Sequence, residues 1–118
     1  MPSILTIQIN SVPTQFQYID IKSGYVPNNF RETFVNVRTT SYQSTLVTGD
    51  IPATNGNLYN ALQADYNTSG IFDISFGGAN RIIIEHPNEN FFDAGDFVDG
   101  TSGAVTLISI VNEPDVVP

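Results

Sequence analysis

Cysteine and tryptophan are both absent from the 118 residues. Without cysteine there can be no disulfide framework, no thiolate metal site and no cysteine nucleophile. Without tryptophan, a sugar-stacking cleft loses its largest ring. Positive charge is nearly as scarce: Lys22, Arg31, Arg38 and Arg81 face 12 acidic residues, for a net charge of −8. All four precede residue 82, and the acids after it (Glu85, Glu89, Asp93, Asp96, Asp99, Glu113 and Asp115) have no basic residue to offset them. A field of that sign repels phosphate backbones and anionic lipid surfaces, which argues against nucleic-acid and membrane partners. Long apolar runs are missing too, none approaching the ~20 residues that cross a bilayer. The opening stretch lacks a basic n-region and is broken by Gln8 and Asn10, so it reads as a strand and not as a signal peptide.

What is present points to β-structure. Charged residues make up only 14%, against about 25% in ordinary globular domains, and Asn, Thr, Ser and Gln take their place. Helix surfaces favour Glu, Lys and Arg, so this substitution suits strands and turns. Hydrophobic residues reach 41%, with 8 Phe and 5 Tyr, too many for a disordered chain. The length fits a single domain, residues 1–118, that buries roughly 65% of its unfolded surface.

Leu5, Ile7 and Ile9 alternate with Thr6 and Gln8, the period of a half-buried strand. Residues 15–22 alternate less cleanly, shifting phase at Ile19 and Ile21, which predicts a bulge or burial on both faces. Residues 23–29, with Gly24, Pro27 and two Asn, read as loop, and 33–40 and 44–48 as strands. Residues 49–56 read as a turn-rich connection. Leu58, Ala61, Leu62 and Tyr66 then recur at helical spacing, which predicts one short helix near residues 57–66. Residues 71–76 and 81–85, joined by Gly77, Gly78, Ala79 and Asn80, read as a hairpin. The unbroken Ile82, Ile83 and Ile84 place its second strand at the centre of a sheet. Residues 86–103 read as a long loop and 104–112 as the last strand. The expected fold is all-β, a sandwich or small jelly-roll or barrel of about seven short strands with one helix.

Four groups of residues invite a chemical reading. Glu89, Asp93, Asp96 and Asp99 supply the oxygen ligands that calcium prefers, although the spacing is not that of an EF-hand and a solvated acidic loop has the same composition. His86, the sole histidine, could serve as a base for Ser75 or Ser109, but no nucleophile elbow accompanies it and no catalytic residue is assigned. Tyr25, Tyr42, Tyr59 and Tyr66 could form a flat carbohydrate platform, with Tyr66 the least suited because it falls on the apolar helix face. The tail, residues 113–118, carries Val116, Val117 and Pro118, an apolar end expected to be ordered by docking, which makes these three candidate interface residues.

These features predict a non-enzymatic structural protein that works with protein partners in a homo- or hetero-oligomeric assembly. A virion component such as a phage capsid decoration, capsid-associated or tail protein fits best, located in the virion or in the host cytoplasm during assembly. No cofactor is expected beyond the calcium candidate. The rival expectations are a carbohydrate-binding or adhesin module and an acidic inhibitor that mimics nucleic acid.

Overall fold

The computed structural model describes residues 2–23, 26–36, 44–47, 49–88 and 90–112, with the backbone alone described at 23, 26–29 and 44. Within them, eight strands form two four-stranded sheets that do not close into a barrel. The chain runs β1 (Ser3–Ile9), β2 (Tyr18–Ser23), β3 (Val26–Val35), β4 (Ser44–Leu46), helix α1 (Ile51–Ala61), β5 (Asp73–Gly78), β6 (Arg81–His86), β7 (Phe97–Gly100) and β8 (Val105–Asn112). The first sheet has the order β5-β6-β1-β8 and the second β4-β3-β2-β7. All pairs are antiparallel except β3 with β4.

The core lies between the sheets. In β1 the side chains of Ser3, Leu5, Ile7 and Ile9 are buried while the alternate residues are only partly covered, as the period-two pattern requires. Ile82 and Ile84 of β6 point the same way and are fully buried, whereas Ile83 lies on the outer face and is half-buried. Strand β6 is an interior strand, as its apolar run predicts. In the second sheet Ile19, Asp20 and Ile21 are all buried, so β2 is covered on both faces. The Asp20 carboxylate is met by Arg31 of β3, its register partner, through bonds of 2.7 and 2.9 Å. The same guanidinium sits 3.8 Å from the centre of the Tyr18 ring. Tyr18 in turn lies over Gly100, where a Cβ would come within 2.6 Å of the ring.

The helix begins six residues before the expected start at 57. The segment read as a connection is its first half, with Asp50 as N-cap accepting from the Ala53 N–H at 3.1 Å. Pro52 and Gly56 look like breakers, yet proline in a first turn forfeits no intrahelical bond and one interior glycine is affordable. Thr54, Asn55, Leu58 and Ala61 face inward, and a π-helical turn over Leu62–Tyr66 extends the helix to the predicted end. Joining β4 at one sheet edge to β5 at the other, α1 packs on β4, β5 and β6 and closes that side of the sandwich.

Two further expectations are corrected. Residues 26–29 belong to β3 and not to a loop: they lie beyond the reach of β4, and the register with β2 is irregular there, so Pro27 interrupts no ladder on its free side. The segment 86–103 is not all loop, since it contains a 3-10 turn (Ala94–Asp96) and β7. The hairpin appears as β5–β6, with a register irregularity between Phe76 and Gly78. Gly78 takes φ of 139°, open to glycine and strained for other residues.

Candidate functional site

A polar cluster closes one end of the first sheet. Ser3 of β1 pairs in register with His86 on one side and Asn112 on the other, which brings together residues 109 positions apart. The Ser3 hydroxyl donates to Asn112 Oδ1 and accepts from the Phe92 N–H at 3.0 Å. Asn112 Nδ2 donates to the Phe92 carbonyl at 3.1 Å, and its Oδ1 accepts from the Asn90 N–H at 3.1 Å. His86 Nδ1 accepts from the Asn88 N–H at 3.1 Å, which leaves Nε2 to carry the proton of the neutral ring. Backbone groups of residues 88, 90 and 92 are thus fastened by three side chains from three strands.

Apolar contacts seal the same end. The His86 ring stacks on Phe91 with centroids 3.6 Å apart and planes 7° from parallel. Phe72 meets His86 and Phe91 edge-on and stacks with Tyr66, which contacts Phe30. Burial holds the His86 imidazole below its ordinary value, with the Asn88 contact opposing the shift. Burial also pushes the Tyr66 phenol well above its usual range, with Asp96 adding to the effect. A stacked, nearly inaccessible imidazole whose Nδ1 lone pair already accepts from the Asn88 N–H is poorly placed as a general base. Ser75 and Ser109 pair with Ile83 and Thr6 on the outer face, so the sheet separates them from His86.

The acidic segment has local work to do. Asp93 and Asp96 form a reciprocal cap on the 3-10 turn, with the Asp93 N–H donating to Asp96 Oδ2 at 2.8 Å. Asp99 organises the turn between β7 and β8: its Oδ1 accepts from the Thr101 N–H at 2.7 Å and its Oδ2 from the Gly103 N–H at 2.8 Å. These bonds accompany left-handed φ angles of 56° at Ser102 and 92° at Gly103. Glu89 lies outside the described residues. Among the described residues, no three Asp, Glu or His side chains converge as a metal site would need. Of the four tyrosines, Tyr66 is in the aromatic cluster and Tyr59 stacks on Phe76 at 4.4 Å; Tyr25 and Tyr42 fall outside the described residues. Val116, Val117 and Pro118 also lie outside them.

Two surface features were missed by sequence reasoning. Phe16, in the loop from β1 to β2, is 70% exposed with φ of 66°, a conformation costing a bulky residue about 1–2 kcal/mol. The backbone is held there by bonds from the Phe16 N–H to the Phe34 carbonyl and from the Phe34 N–H to the Gln17 carbonyl, at 2.7 and 2.8 Å. The second feature is β8, an edge strand of eight residues without a charge or proline, which exposes Ile108 and Val111. The other edges are better guarded. Strand β4 has three residues, β7 has four and includes Asp99, and β5 begins at Asp73 and ends in a glycine irregularity. Comparison with family models, curated proteins and solved structures gives no match for this chain.

Proposed function

We propose that this domain is a structural module of a larger protein assembly, the role that a capsid decoration, capsid-associated or tail protein plays in a virion, and that it catalyses no reaction. The observation carrying this reading is the apolar edge of β8, with Ile108 and Val111 more than two-fifths exposed. An uncharged strand edge is a template for pairing with another chain, and folded proteins ordinarily blunt such edges. Phe16 supports the same reading, because a strained backbone that holds an aromatic ring in solvent gains nothing for the isolated fold. Of the polar residues that first suggest chemistry, His86, Asp93, Asp96 and Asp99 are engaged in fixing turns and loops, which is structural work. Light scattering on the full chain, from low micromolar to millimolar concentration, tests the proposal. Association to masses above the 12.9 kDa of one chain is expected, and a strictly monomeric protein across that range would overturn it.

A further inference from the structure

Resting on that reading, we infer that the occupant of the β8 edge is β8 of a second copy, paired antiparallel about a two-fold axis. Antiparallel edge pairing is self-complementary, so one strand can satisfy both sides of a symmetric contact. The residue faces allow it. Val111 and Ser109 pair with Ile4 and Thr6 of β1 and share the outer face, whereas Ile110 pairs with the buried Leu5. A register centred on Ile110 therefore sets Ser109 of one copy against Val111 of the other on the same face, with no side chain forced through the sheet. Ile108, the extra residue where the β1–β8 register shifts, projects beside this segment and widens the apolar contact.

Electrostatics select the same strand. At a net charge of −8 the chain as a whole repels its copies, but β8 places no like charges opposite one another. Among the described residues, the nearest acids along its outer-face rows are Glu85 on β6 and Asp73 on β5, two and three strands away. With strands about 4.8 Å apart, Glu85 and its symmetry mate would be separated by about 24 Å, against a screening length near 8 Å at physiological salt. Repulsion between these acids across the contact is therefore small. A single strand edge is a small interface, in the class below about 1,200 Å², so the dimer should be weak and should form on concentration.

Full-length protein and the double variant Ile108→Lys/Val111→Lys decide the matter. Both residues are exposed, so the variant should keep the parent's circular dichroism spectrum, and the single variant Val111→Lys serves as a milder second test. Equilibrium sedimentation should show the parent moving from one chain to two as concentration rises, with both variants remaining monomeric. Hydrogen exchange should show added protection of Ser109–Asn112 amides in the concentrated parent only. If the folded variants associate as the parent does, or if the protection falls elsewhere, the β8 contact is wrong while the assembly reading stands. A parent that never associates overturns both.

Discussion

Ile82 and Ile83 are neighbours on the same interior strand, yet the structure gives them opposite faces and predicts very different costs for the same truncation. Ile82 is fully buried and pairs with Ile7 and Phe76, while Ile83 is half-buried on the outer face and lies over Gly77. Replacing isoleucine by alanine removes three carbons, about 2.4 kcal/mol of transfer free energy when buried. A residual cavity should raise the cost of Ile82→Ala to about 3–4 kcal/mol. Ile83→Ala forfeits only the covered half of its surface and should cost about 1 kcal/mol. Each kcal/mol corresponds to about 4 °C in Tm for a domain of this length. Thermal and urea unfolding followed by circular dichroism should therefore show Ile82→Ala melting about 8–12 °C below Ile83→Ala. Equal losses, or the reverse order, would refute the assigned register of β6.

Two other expectations bear on the residues that first suggested chemistry. Because burial depresses the folded-state pKa of His86, the unfolded chain takes up the proton first as pH falls; stability tied to this ring is complete above about pH 6.5 and declines below it toward the folded-state value. His86→Phe, which retains an aromatic ring against Phe91, should flatten that part of the Tm–pH curve, and an unchanged slope would show that other groups produce it. Asp99→Ala should cost about 2–3 kcal/mol, since it removes charge-assisted bonds to two backbone N–H groups. That loss should be the same with calcium or with chelator, and a saturable calcium-dependent rise in Tm that disappears in the variant would restore the metal reading.

The parts of the fold that sequence conveys are those whose patterns repeat within a few residues. The alternation of Leu5, Ile7 and Ile9 marks a one-sided strand wherever it pairs, and Gly77 to Asn80 between two β-rich runs marks a hairpin. Local signals that cut two ways mislead. Pro52 and Gly56 weigh against a helix that Asp50 and its cap in fact start, and Pro27 weighs against a strand whose irregular stretch tolerates it. Asp99 belonged to a run of acids, but it also preceded Gly100, Thr101, Ser102 and Gly103, and that turn composition was the better guide to its use.

The candidate site was harder to read because its meaning depends on partners distant along the chain. Nothing near Ser3 announces that its hydroxyl will meet Asn112 and the Phe92 backbone, and His86 resembles a catalytic histidine until Phe91 is found stacked on it. The same holds for β8. Val105–Asn112 would read as the same apolar strand at the centre of a sheet or at its edge, because composition records burial preference and not the number of neighbours. Only the order β5-β6-β1-β8 turns an ordinary hydrophobic run into an edge that exposes Ile108 and Val111. A charge or proline there would have signalled a guarded edge in the sequence itself. Their absence becomes informative once topology shows that, among the described residues, the strand has a strand neighbour on one side only. The functional proposal therefore rests on topology, and the lysine variants test it at the positions where an edge guard would stand.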